Sequence, residues 1–183
     1  MVGAAVTAGA GLAGLALLFV FFVSSSALTR GGGGRRAAQV FANGGIAALC
    51  ALLARLSGVY LAAFAGALAA AAADTWSTEI GAHSAGAPRL VTTWRQVPTG
   101  TNGAVSLLGT GGGILGAGLI GLASLLLLHV GSRAALWITV AGVIGAFADS
   151  VLGATLQQRS WLNNDAVNLL ATATGAAVAA WLV

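Results

Sequence analysis

The chain has 183 residues, of which 58% are hydrophobic and only 7% charged. A soluble domain carries about 25% charged residues, so a water-soluble globule, which could not cover its own surface, is excluded. The net charge of +4 comes from eight arginines against four acids, with no lysine. In so apolar a chain this excess reads as arginine-rich loops beside a bilayer, not as a nucleic-acid surface.

A spanning helix needs ~20 apolar residues. The first candidate, Val2–Leu28, is too long for a signal h-region and lacks a basic n-region. The others are 37–56, 58–81, 103–130, 133–157 and 165–183. The second is the weakest, because Gln39 and Asn43 sit in its first turns. Between them lie a basic run, RGGGGRR from Arg30 to Arg36, a polar segment over 82–101 that holds both prolines, and a short polar link over 159–164. Tight turns at Ser57 and at Gly131 and Ser132 complete the chain. No soluble domain fits between these spans. Residues 1–183 are therefore predicted to form a single integral membrane domain, an all-α polytopic bundle of about six transmembrane helices. The single Cys50 excludes a disulfide framework and a Cys-based zinc site. Two distant histidines, His83 and His129, argue against a His-only metal site.

The chain resembles itself. ADTWSTEIGA at 73–82 aligns with ADSVLGATLQ at 148–157, each at the end of an odd span. TNGAVSLLGT at 101–110 aligns with NNDAVNLLAT at 163–172, each at the start of an even span. VSSSALTR and ANGGIAAL form a degenerate first copy. The reading is three tandem helical hairpins, with all polar motifs at one membrane face. That face carries Arg30, Arg35, Arg36, Arg89, Arg95 and Arg159, and the opposite one Arg55 and Arg133. By the positive-inside rule the motif face is cytoplasmic and both termini are outside.

Asp74 lies about sixteen residues into its span, ~24 Å along a ~30 Å hydrocarbon core. Asp149 has the equivalent depth in the third hairpin. A carboxylate inside a span costs at least ~2.5 kcal/mol and needs a partner or a wet cavity. Paired acids at repeat-equivalent positions favour a divalent-metal or phosphate site over two structural aspartates bonded to Ser, Thr or Asn. Ser77 and Thr78 share the helical face of Asp74; Gly153 and Gln157 share that of Asp149. Glu79 lies ~140° from Asp74 on a straight helix, so it joins Asp74 on one ion only if the helix ends or bends there, an ending that Gly81 supplies. In Val97–Ser106 the glycines Gly100 and Gly103 let backbone approach a ligand. Thr99, Thr101 and Asn102 offer donors at a predicted helix start, where free amides favour anions. An ordinary cap by Thr101 or Asn102 explains one residue of that run. Asn164, Asp165 and Asn168 open the last helix, with Asn43 and Gln39 in the equivalent place of the first hairpin. His83 and Arg36 are further phosphate contacts. Trp76, Trp94 and Trp161 suit an interfacial belt, and Trp76 also suits a lipid-tail groove. Acids, Asn, Thr and Gly donors and arginines together suit phosphate and Mg²⁺ chemistry.

ADTWSTEIG, PRLVTTWRQVPTGTNGAVSLLGT, ADSVLGATLQ and WLNNDAVNLLAT together resemble the integral membrane family of the plant and cyanobacterial phytyl-phosphate kinase. The match runs from about Phe21 to the C-terminus. The basic loop departs from the family pattern in its four glycines. The resemblance implies transfer of the γ-phosphoryl group of a nucleoside triphosphate (CTP, UTP, GTP or ATP) to a phytyl or related polyprenyl monophosphate. It makes the Asp74 and Asp149 motifs and the PTGTNG loop the site, on which the expectation is Mg²⁺ held by Asp74 and Asp149, with Glu79 as a third candidate ligand. The candidate phosphate contacts are Thr75, Ser77, Thr78, Ser106, Ser150 and Gln157, the 99–103 loop, and Arg89 or Arg95. The alternative from another class is a lipid-phosphate transporter or flippase, and a non-catalytic assembly subunit is a third. The expected setting is a bacterial plasma membrane, and small-residue faces permit a homodimer.

Overall fold

In a computed structural model, residues 1–29 and 37–183 are described. Six α-helices follow in order: α1 (Val2–Leu28), α2 (Ala37–Leu53), α3 (Gly58–Gly81), α4 (Leu107–Leu127), α5 (Ser132–Leu152) and α6 (Asn164–Leu182). All but α2 are long and apolar enough to cross a membrane. The chain is a multi-pass helical membrane bundle, as its composition predicts.

α3 is the axis. It packs against each of the other five helices, and these close a ring around it in the order α1, α2, α6, α5, α4. The cause is side-chain size. Over 62–73 every α3 residue is buried, and all are Ala or Gly except Phe64 and Leu68. A helix apolar on every side is buried on every side, and small residues let neighbouring backbones come close. Glycines on the partners continue the fit. Gly66 of α3 meets Gly175 and Ala179 of α6, while Gly142 of α5 meets Ala69 and Ala117. Gly109, Gly112, Gly113 and Gly116 of α4 line the flank of α3 from Ala72 to Gly81. Each predicted hairpin is a packed pair, α1 with α2, α3 with α4, α5 with α6. They are not arranged symmetrically, because only α3 has a surface small enough to be central.

Three sequence expectations are corrected. The first predicted span is two helices, because Gly11 (φ 67°, ψ −163°) breaks α1. The segment 2–10 folds back along 12–28. Val2 and Gly3 line one cleft with Phe21 and Phe22, residues that on a straight helix would lie ~30 Å apart. Val2 also rests on Gly44 of α2, where an added Cβ would stand 3.2 Å from Val2 Cγ1. The start of the chain therefore lies level with the early turns of α2, on the motif side, and not outside the far face. Second, α4 starts at Leu107, not Gly103. Ser106, neither Thr101 nor Asn102, caps it, accepting from the Gly109 amide at 3.0 Å. Residues 104–105 instead form a strand, β2 (Ala104–Val105), antiparallel to β1 (Arg89–Leu90). Third, the fifth span ends in a π-turn over Gly153–Gln157. Arg30, Arg35 and Arg36, with their phosphate-loop reading, lie outside the described residues.

Candidate functional site

α3 and α5 pack together, and the side chains of Asp74 and Asp149 lie within hydrogen-bonding reach of each other. Oδ1 of Asp149 is buried and no donor reaches it. Two carboxyl groups in contact at this depth need a cation or a shared proton between them, since like charges and desolvation both oppose an ionised pair. An orphaned carboxylate oxygen beside a second carboxylate fits a hard divalent cation, which takes one or two protein carboxylates and completes its shell with water or phosphate oxygens.

Glu79 does not join them. Among the described residues no three His, Cys, Asp or Glu side chains gather to hold a metal. The helix runs on to Gly81 and Ala82 continues it in αR geometry, so Glu79 stays round the helix from Asp74. Its backbone carbonyl meets His83 Nδ1 at 2.9 Å, so His83 closes the last turn of α3. Thr75 and Ser77 also turn to their own helix, Thr75 donating to the Ala71 carbonyl at 2.9 Å and Ser77 to that of Asp74 at 2.9 Å. Ser150 donates to Ala146 at 3.3 Å. Thr78 is exposed. Trp76 packs on Gly112 and Gly116 of α4, its Nε1 buried and unpaired. Trp94 and Trp161 are 62% and 71% exposed, as an interfacial belt requires.

The 97–103 loop is seated on the end of α5, just beyond Asp149. A turn from Pro98 to Thr101 is closed by the Thr101 amide at 3.2 Å and its hydroxyl at 2.7 Å, both donating to the Pro98 carbonyl. Gly100 (φ 89°) and Gly103 (φ 76°) take left-handed backbone, which favours glycine. Gly103 lies against Ser150, Gly153 and Ala154. An added Cβ on Gly153 would stand 2.8 Å from the Gly103 nitrogen. Gln158 Nε2 then donates to the Asn102 carbonyl at 3.0 Å. The π-turn that opens one turn after Asp149 is thus the seat of this loop. Among the described residues the amides of Gly100, Asn102 and Gly103 donate to no acceptor. Free backbone amides gathered in a glycine turn can receive an anion.

Other predicted residues are placed apart from this core. Arg89 Nη1 donates to the Trp94 carbonyl at 2.8 Å and holds Trp94 at φ 59°, so Arg89 shapes the loop. Arg95 is exposed on the same loop. Among the described residues no arginine pairs with an acid. Asn163 caps α6, accepting from Ala166 at 2.9 Å. Asn164 is exposed and Asn168 half-buried on the same helix, which packs on the π-turn. Asp165 Oδ1 is buried without a partner. Asn43 faces the α1 cleft. Gln158 was not singled out by the sequence. Its signal, a polar pair Gln157 and Gln158 ending an apolar span, does not say which of the two turns to the loop.

A model of an integral membrane protein family, DUF92, matches residues 1–176. An uncharacterised membrane protein of Methanocaldococcus jannaschii is 39% identical over 88% of this chain and 72% of its own length. Protein PGR of Arabidopsis thaliana is 32% identical over 78% of the chain and 64% of its length. The chloroplastic protein VTE6 of the same plant is 29% identical over 92% and 58%. The chain thus spans less than two-thirds of either plant relative. No solved structure matches it.

Proposed function

We propose that this chain, which belongs to the DUF92 family of integral membrane proteins, is a prenyl-phosphate kinase. It moves the γ-phosphoryl group of a nucleoside triphosphate to a phytyl or related polyprenyl monophosphate at the membrane face where its polar motifs lie. The observation that carries this reading is the pairing of Asp74 with Asp149, with a loop of unpaired amides seated on the turn that follows Asp149. The kinase resemblance of the same motifs and the match to VTE6 support it.

The arrangement suits phosphoryl transfer, which depends mainly on positioning and charge neutralisation. A phosphate monoester is largely dianionic near neutral pH, so its oxygen needs no strong general base. Asp74 and Asp149 would hold Mg²⁺, whose role is to neutralise triphosphate charge. The amides of Gly100, Asn102 and Gly103 grip phosphate oxygens, and Arg95 supplies a fork for the same anion. The bundle keeps the prenyl chain in the membrane and its phosphate at the rim. Arg89, Arg95 and Arg159 at the motif face, against Arg55 and Arg133 opposite, support a cytoplasmic active face.

Purified full chain in detergent, given each γ-labelled nucleotide with phytyl or geranylgeranyl monophosphate, is the test. Label is expected in the prenyl diphosphate and lost when the divalent cation is chelated. Folded protein that transfers nothing from any of the four nucleotides would overturn the kinase, and vesicle flux of lipid phosphate would then support the transporter.

A further inference from the structure

Three helices meet at one point beneath the acid pair. An added Cβ on Gly145 of α5 would stand 2.5 Å from Ala70 Cβ of α3, 2.9 Å from the Ala171 carbonyl oxygen of α6 and 3.3 Å from the Gly175 nitrogen. An added Cβ on Gly175 would stand 2.7 Å from the same Ala70 Cβ. Residues one turn apart share a helical face. Asp74 and Asp149 each follow this junction by four residues, after Ala70 and Gly145. Gly66 meets Ala179 while Ala70 meets Gly175, so α6 runs antiparallel to α3. Its residues at the height of the pair therefore precede the junction. Asn168 comes three residues before Ala171 and seven before Gly175, on the stripe that faces α3 and α5. At ~1.5 Å per residue, Asp74, Asp149 and Asn168 all lie about one turn from the junction toward the motif face.

Asn168 is free to serve there. Its repeat counterpart Ser106 caps α4, but α6 starts earlier, with Asn163 as its cap. Asn168 is thus inside the helix and half-buried, and among the described residues its amide makes no hydrogen bond. It stands apart from the acids in that it bonds to neither. Asparagine is a poor helix former, and Ala171 and Gly175 on its stripe show what close packing alone selects. A side-chain amide offers a hard cation an oxygen without a charge. Two carboxylates already balance a divalent ion, and a third would leave excess charge at this depth. A neutral third ligand avoids that cost.

We propose that the side-chain oxygen of Asn168 is the third protein ligand of the divalent cation held by Asp74 and Asp149. The proposal rests on the reading of that pair as a cation site, and not on the transfer reaction. Its test is Mn²⁺ binding, followed by electron paramagnetic resonance, to the full chain in detergent without nucleotide or prenyl phosphate.

Asn168→Leu should weaken Mn²⁺ binding at least about tenfold, the lower end of what even a residue orienting a metal ligand costs. Asn168→Asp should restore it. Leu170→Ala, exposed on the other side of α6, should leave it unchanged. Asn168→Cys in a Cys50→Ala background puts a soft thiolate at the same place. With Co²⁺ it should give a thiolate-to-cobalt charge-transfer band, lost when Asp149→Asn is added. That variant decides the matter even where Asn168→Leu does not fold. A cobalt complex without the band would overturn the proposal. So would Mn²⁺ affinity unchanged or raised in Asn168→Leu, which would leave Asn168 at most a donor to Asp149. If Asp149→Asn loses Mn²⁺ and Asn168→Leu keeps it, this inference falls alone and the acid pair stands as a cation site. If Asp149→Asn binds Mn²⁺ as the parent does, both fall. A chain that binds Mn²⁺ as expected and transfers no phosphoryl group would keep Asn168 as a ligand and sink the kinase.

Discussion

The α3–α4 pair and the α1–α2 pair are built from the same apolar alphabet and pack in opposite ways. Twelve of the 24 residues of α3 are buried, against five of the 27 of α1. α3 and α4 meet through Ala and Gly, backbone against backbone, and α1 presents Leu12, Phe19, Phe22 and Val23 outward. Tight packing around α3 sets it close against α4, α5 and α6. Loose packing in the α1–α2 pair, around a glycine break, leaves a cleft. The comparison teaches that closeness of packing is set by side-chain size, not by hydrophobicity.

Substitutions sharpen this contrast. Gly116→Val puts a branched side chain where even a Cβ would stand 2.8 Å from the Ala72 carbonyl oxygen and from Trp76. It should cost about 3 kcal/mol or more in thermal or denaturant unfolding. Gly118→Val, on the same helix with open space around it, should cost under about 1 kcal/mol. Equal costs would break the account of α3 as a close-packed axis.

Next in size is Gly103→Ala. It places a Cβ 2.5 Å from the Ser150 carbonyl oxygen at φ 76° and should cost about 1–3 kcal/mol of local strain, read as faster proteolysis of the 97–103 loop and weaker triphosphate binding. Gly100→Ala shares the positive φ but meets nothing within 4 Å, so it should have a smaller effect in both assays. The smallest change is Gln158→Ala. Loss of one partly exposed bond to Asn102 should cost about 1 kcal/mol, seen as a raised KM for nucleotide with kcat nearly kept.

Much of the fold was legible. Five of the six spans match helices to within a few residues, because an apolar run bounded by Gly, Ser or polar links fixes a membrane helix. The first was misread at Gly11. A lone glycine in a run of Ala, Leu and Val looks like any small packing residue, and only contacts from Gly44 and the phenylalanines show the chain turning back. The start of α4 was misread because Gly103 carries the loop chemistry while β pairing to Arg89 takes its neighbours. Asp74 and Asp149 were legible through their repeat. Glu79 was misplaced because the sequence leaves open whether α3 bends at Gly81. The seating of the loop on the π-turn was hidden, since Gln158 and Asn102 lie 56 residues apart.

The central claim is that the Asp74 and Asp149 pair is the reacting centre, and the most direct measurement is label transfer by Asp149→Asn and Asp74→Asn beside the unsubstituted chain. The account predicts that each loses ~10³-fold in turnover, the scale of removing preorganised charge from such a site. It also predicts that each unfolds no more easily than the parent, because one of two opposed acids has been neutralised. Turnover near that of the parent in both variants would contradict it.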